Sequence, residues 1–191
     1  MPWRPVSESY QFSDEQGSLS LSELFEDKNQ LVVYHYMYGS GWQQGCKSCS
    51  FWADQYDSMA IHLAARDVAL ALVSRAPWQD FQAFKSRMGW QSRWLSSATC
   101  DFNQDLHVSF SGQKQGTFNY REGSVIEELP GVSVFAKDET KQIFHAYSAY
   151  ARGLDPLNAT YQVLDLVPKG RDEKALPFPM AWVQFHDEYG Q

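Results

Sequence analysis

An α/β fold, a central mixed sheet flanked by helices, is what this sequence predicts, on three observations. Residues 31–38 (LVVYHYMY) and 68–73 (VALALV) are near-continuous apolar runs, the pattern of strands covered on both faces. Between them, Cys49, Trp52, Tyr56, Met59 and Leu63 recur at spacings of three and four, which draws one apolar stripe along a helix. Farther on, Pro130 precedes a run at 131–136, a polar turn at 137–141 and a return run at 142–147, an antiparallel hairpin. Strand and helix alternate first and the hairpin comes last, so parallel βαβ units lead into an antiparallel end.

The 191 residues suit a single domain over 1–191, with a core at about 20–168 and extensions at 1–19 and 169–191. A chain of this length buries a full core without covalent staples. Its three cysteines are too few for a secreted disulfide scaffold and fit a reducing compartment. The net charge of -7, with no basic stripe, excludes nucleic acid as a partner. Met1-Pro2-Trp3-Arg4-Pro5 lacks the apolar segment of a signal peptide. No apolar run approaches the roughly 20 residues of a membrane span, so a soluble cytoplasmic protein without membrane partners is expected.

Taken in order, residues 10–17 read as a turn or short hairpin. Ser20 and Glu23 form a capping box for a short helix at 21–25. The strand at 31–38 is interrupted only by His35 and runs into a Gly-rich loop, 39–45. The helix of the apolar stripe follows, with Gln55, Asp57, Ser58 and His62 on its opposite face. Asp54 and Asp57 read as part of a solvated side. After the strand at 68–73, Pro77 suits the first position of a helix marked by Trp78, Phe81, Phe84 and Met88 and ended by Gly89. Residues 94–98 read as a short strand. Residues 99–120 are weakly patterned, with minor strands at 108–110 and 117–120. Residues 121–129 are an acidic loop. A last helix over 157–167 starts after Asp155-Pro156. The aromatic tail, 176–191, is expected to be ordered by packing, either on its own body or in a homodimer.

The chemistry concentrates at Gly45-Cys46-Lys47-Ser48-Cys49. Cys46 lies in the entry turn of the helix, where the helix dipole favours a thiolate, and Lys47 adds a nearby cation. Cys49 lies on the inner stripe, shielded and placed to resolve a mixed disulfide. The spacing thus assigns Cys46 as nucleophile and Cys49 as resolver. A CxxC disulfide closes too small a loop to stabilise much, which argues against a purely structural pair. Structural zinc takes four ligands, and beyond this pair only Cys100 remains, with no second CxxC, so no metal and no cofactor is expected. Cys100 reads as a small buried residue. His35, mid-strand, reads as a hydrogen-bonded core histidine or, more sharply, as the proton acceptor of Cys49. Trp52 belongs to the core, and Trp42 shapes a groove for a peptide or small ligand. Arg75 and Arg152 read as surface ion pairs, with anion binding near the site as the alternative.

Residues 31–38, 45–54, 73–77, 84–90, 101–103, 150–155 and 168–173 together resemble a bacterial thioredoxin-like family of unknown function, often described as predicted dithiol–disulfide oxidoreductases. The resemblance spans nearly the whole chain. It implies a thioredoxin-like fold and a thiol–disulfide oxidoreductase acting on protein or small-molecule disulfides and thiols. It also implies that Pro130 occupies the position of the cis-proline that faces the CxxC in such folds and walls the substrate groove. Two departures stand out. Gly-Cys-Lys-Ser-Cys replaces the usual Trp-Cys-Gly-Pro-Cys, and the buried acid of thioredoxins has no equivalent, His35 or Tyr36 standing in its space. Residues 81–110 loosely resemble peroxiredoxins, without a Pro-x-x-x-Thr-x-x-Cys motif. A non-enzymatic thioredoxin-like binding module and a thiol peroxidase-like protein using Cys46 are the competing readings.

Overall fold

The computed structural model describes residues 3–110, 117–122 and 126–190. Parts of the weakly patterned stretch and of the acidic loop lie outside them. Along the chain come β1 (Arg4–Pro5), β2 (Gln11–Asp14), β3 (Gly17–Ser20), β4 (Gln30–His35), α1 (Lys47–Ala64) and β5 (Val68–Ser74). Then follow α2 (Trp78–Met88), β6 (Arg93–Ser96), α3 (Phe102–Asp105), β7 (Thr117–Phe118) and β8 (Arg121–Glu122). β9 (Gly131–Lys137), β10 (Ile143–Tyr150) and α4 (Ala159–Leu164) complete the series. The expected helix at 21–25 is a 3-10 turn at Glu23–Phe25, with the Glu23 carboxylate accepting from the Ser20 amide and hydroxyl. The expected last helix, 157–167, is the shorter α4, preceded by a 3-10 segment, Ala151–Leu157.

An eight-stranded mixed sheet has the order β1-β10-β9-β4-β5-β6-β2-β3. β4, β5 and β6 are parallel, joined by α1 and α2, and β9 runs antiparallel to β4 with His35 opposite Gly131. The described residues up to 20 add strands to both edges of this sheet, and the short hairpin expected at 10–17 appears as β2–β3. β1 pairs with β10, and the β2–β3 hairpin adjoins β6 through Ser13 and Ser96. Strands this short carry little periodicity of their own; their partners lie far along the chain.

Alternation along the strands sorts two cores. Tyr34, Tyr36, Tyr38, Leu72 and Trp94 face α1, α2 and the C-terminal tail. Leu31, Val33, Ala69, Ala71, Val73 and Leu95 face the other side, closed by Phe12, Phe25 and Phe102. Each large apolar side chain removed from water contributes about 1.5–3 kcal/mol, so both faces hold the central strands. On α1 the buried positions are Cys49, Ser50, Trp52, Ala53 and Tyr56, while Met59 and Leu63 are only half-buried. The helix is therefore packed most firmly at its cysteine end.

One ion pair ties the C-terminal end of β5 to the approach to β9. The Arg75 guanidinium holds the Glu128 carboxylate, which also accepts from the Ser109 hydroxyl. Glu128 is 2 % exposed, and burial holds its carboxyl above the usual range against the opposing pull of Arg75 and Ser109. Arg75 thus holds a buried partner besides its surface one, the exposed Glu127 carboxylate at 3.6 Å. A raised folded-state pKa makes the residue's contribution to stability fullest below the unfolded carboxyl value of about 4.3, and that contribution shrinks as pH rises through the folded value. Arg75→Ala is expected to cost roughly 3 kcal/mol at pH 7 by leaving a buried charge unpaired, and clearly less at pH 4. Urea unfolding at the two pH values checks this; an equal loss at both would show that the pair is not the cause.

Candidate active site

Past His35 the chain keeps its place beside β5. The Tyr36 amide donates to the Val73 carbonyl at 2.9 Å and the Ala76 amide to the Tyr38 carbonyl at 3.0 Å. The loop at 39–45 then returns the chain, and the Cys46 amide closes it on the Met37 carbonyl at 3.3 Å. Cys46 is the N-cap of α1, with extended φ and ψ of -68° and 125°. The Tyr36 and Ser50 hydroxyls lie 2.7 Å apart, and both reach the Cys46 carbonyl, at 3.2 and 3.1 Å. The Tyr36 ring passes so close to the loop that a Cβ at Gly45 would fall 2.2 Å from its hydroxyl. Only glycine fits between that ring and Cys46. The Trp42 ring lies tilted beside Tyr38, with centroids 6.4 Å apart, and is half-buried against Gly39, where a Cβ would meet its indole nitrogen at 2.8 Å.

The two sulfurs occupy different environments. Cys46 is half-buried, and its sulfur has the Cys49 thiol, the Ser48 and Cys49 amides and the Ser48 hydroxyl around it. None makes a geometrically strict cap bond, yet together they favour the thiolate. The Cys49 thiol is the largest of these influences; acting against burial, they lower the Cys46 pKa to about 7. Cys49 is 1 % exposed. Burial first, and then the negative partner Cys46, push its thiol well above the ordinary value, while the Tyr34 hydroxyl and the Met37 amide pull the other way. Both cysteines are free thiols.

Several residues singled out in the sequence stand elsewhere. His35 shares the face of Leu31 and Val33, away from Cys49. Its Nε2 meets the Ser133 hydroxyl at 2.9 Å and its ring lies 5.6 Å from Phe102. Burial lowers its pKa to about 3. It is the core histidine, and strand parity denies it the proton-acceptor role. Lys47 turns to the C-terminal tail, 2.9 Å from the Glu188 carboxylate and 5.2 Å from the Phe185 ring. It is not the cation beside Cys46. No peptide bond among the described residues is cis, Leu129–Pro130 included. There the Leu129 amide is bonded to Val108 and Gly131 is paired with His35, so the chain enters β9 extended on both sides of Pro130. Cys100 packs against the opposite core, and burial raises its pKa.

The aspartates of α1 bind rather than face solvent. Asp54 accepts from the Trp90 indole at 2.7 Å and meets His186 Nδ1 at 2.6 Å, and Asp57 accepts from the Gln91 and Ser92 amides. The tail packs on its own chain. Phe185 is buried against Phe84, and Arg87 clasps Asp187 at 2.7 Å and Glu188 at 3.2 Å. Two features at the cysteines have no counterpart in the sequence analysis: Tyr34 in the core of Cys49, and the pairing of the Tyr36 hydroxyl with that of Ser50 under Cys46. Strand parity was the signal for them, because residues 34, 36 and 38 alternate onto the face that the Cys49 stripe must cover.

Strand, loop, cysteine pair at the first helical turn, and a closing antiparallel hairpin define a thioredoxin-fold protein with two thiols of opposed character. The chain belongs to the family described as "Bacterial protein of unknown function (DUF899)", whose pattern it matches over residues 1–189. Solved structures of similar fold include the peroxidoxin BcpB from Mycobacterium tuberculosis, 14% identical, covering 85% of this chain and 97% of that one, with a TM-score of 0.55. Peroxiredoxin Q from Xanthomonas campestris is 12% identical, with 80% and 86% covered and a TM-score of 0.54. The mitochondrial 2-Cys peroxiredoxin from Plasmodium falciparum is 11% identical, with 85% and 93% covered and a TM-score of 0.50. At such identities the likeness is one of fold. No curated protein sequence matches this chain significantly. Among the described residues no helix is long and apolar enough to cross a membrane, and no group of three or more His, Cys, Asp or Glu side chains is placed to hold a metal ion.

The split between the thiols sets an expected titration. Alkylation of Cys46 by iodoacetamide should rise with pH through a midpoint near 7. Peptide mapping should find Cys49 unmodified until well above the ordinary thiol value of about 8.5. Equal labelling of the two at neutral pH would contradict the assigned asymmetry.

Proposed function

We propose that this protein is a dithiol–disulfide oxidoreductase that cycles Cys46 and Cys49. The observation that carries the reading is the pairing of a half-buried thiol with a pKa near 7 and a fully buried one held high, at the first turn of one helix. The Cys46 thiolate attacks one sulfur of a substrate disulfide, forms a mixed disulfide and expels the other sulfur as a thiolate. Cys49 gives its proton to that leaving thiolate or to water, attacks the Cys46 sulfur and expels the second thiolate. Two electrons pass from the dithiol to the substrate, and the protein is left with a Cys46–Cys49 disulfide. The reverse sequence oxidises a substrate dithiol. Trp42 and Pro130 are assigned to the rim that receives the substrate, a protein or small-molecule disulfide. A reducing cytoplasm, where the free dithiol persists, is the proposed location.

A second reading has its own support. The solved structures of similar fold are peroxiredoxins. A thiolate at Cys46 could attack a peroxide, become sulfenic acid with release of water or alcohol, and be resolved by Cys49 to the same disulfide with loss of water. The low-pKa thiolate serves both chemistries, so the substrate decides.

Substitution separates the readings. Cys46→Ser is expected to abolish reduction of a model disulfide. Cys49→Ser should stop after the first step and accumulate a one-to-one mixed disulfide visible by mass spectrometry. Wild-type protein that leaves model disulfides untouched but consumes peroxide faster than a free thiol would overturn the first reading in favour of the second.

A further inference from the structure

Tyr34 stands on β4 with its side chain fully buried beneath α1, in the same core as Cys49. Its hydroxyl has no hydrogen-bond partner that meets strict geometry. A phenol in such a place is expensive, because the hydroxyl gave up water for nothing equivalent. Phenylalanine would fill the same space at no such cost. The ring is held by Tyr36, at 6.4 Å, and Tyr56, at 5.0 Å between centroids, so the hydroxyl cannot swing to solvent. The buried Cys49 thiol shares this core, and the phenol acts there against burial in favour of the thiolate. Tyr56 makes the contrast. Its hydroxyl is likewise buried and unpartnered, but only its charge interaction, and no hydrogen bond, reaches Cys49.

We propose that Tyr34 is a catalytic residue of the dithiol, its hydroxyl donating a hydrogen bond to the Cys49 sulfur whenever that sulfur is a thiolate. The inference rests on the dithiol reading and says how a buried resolving cysteine reacts. In the reducing direction Cys49 loses its proton to the first leaving thiolate or to water, and the phenol donates to the bare sulfur before it attacks Cys46. In the oxidising direction an incoming thiolate attacks Cys46, the S–S bond breaks, and Cys49 leaves with the electron pair into the same hydrogen bond. The phenol keeps its proton throughout, since burial and the cysteines hold its own ionisation well above the ordinary value.

The test is stopped-flow reaction of the reduced protein with 5,5′-dithiobis(2-nitrobenzoate), which releases one coloured thiolate when Cys46 attacks and a second when Cys49 resolves. Tyr34→Phe should keep the first release at the wild-type rate and slow the second by about tenfold or more, the usual worth of a hydrogen bond to a charged group. Tyr56→Phe should leave both unchanged. A Tyr34→Phe second phase at the wild-type rate overturns the proposal, and so does a loss of both phases, which would make the hydroxyl structural. An equal slowing in Tyr56→Phe would overturn it too, by tracing the effect to packing. Wild-type protein that releases only one equivalent would instead sink the dithiol reading, and the role of Tyr34 with it.

Discussion

A strand has two faces, and on β4 that constraint decides the rest. Leu31, Val33 and His35 go to one side, and Tyr34, Tyr36 and Tyr38 go to the other. The tyrosine side is the one α1 covers. The helix can then start only where the loop from Tyr38 brings it down, with Cys46 over Tyr36 and Cys49 over Tyr34. Shift the register by one residue and a histidine would lie under the helix while three phenols entered the opposite core. The parallel pairing with β5 and the antiparallel pairing with β9 fix that register from both sides.

From this placement follows the contrast between the two sulfurs. Cys46 meets amides, a hydroxyl and a second thiol at a helix N-terminus, and Cys49 meets aromatic rings. The same helix turn makes one sulfur acidic and the other reluctant. Peroxiredoxins share the fold at identities of 11% to 14%, but a fold hosts many chemistries, and here the site argues for itself.

Much of this was legible in the sequence. The stripe through Cys49, Trp52 and Tyr56 and the apolar runs at 31–38 and 68–73 announced the helix and its strands, because burial on one or both faces leaves a period. The order of the cysteines along the helix gave their relative exposure. What stayed hidden had no local signature. The strand at 4–5, and the docking of the hairpin at 11–20 on β6, owe their form to distant partners. Lys47 was read from its neighbour in sequence, yet its partner, Glu188, belongs to a tail with no regular structure. Asp54 looked like a solvated charge until Trp90 and His186 closed over it. His35 is the hydrogen-bonded core histidine that the sequence suggests, but its face is hidden there, because a run apolar on both sides does not show which residues point the same way.

Gly45, Tyr36 and Ser50 form one closed unit around the Cys46 carbonyl. The hydroxyls need the carbonyl, the carbonyl needs the helix turn, and the phenol needs the space a glycine leaves. Evolution can therefore not alter one of the three freely. A side chain at 45 would collide with the ring, and a smaller residue at 36 would leave a cavity in the core. The recognisable imprint of this site in a related chain would then be more than a CxxC: a strand tyrosine, a glycine immediately before the first cysteine and a serine immediately after the second, changing together or not at all.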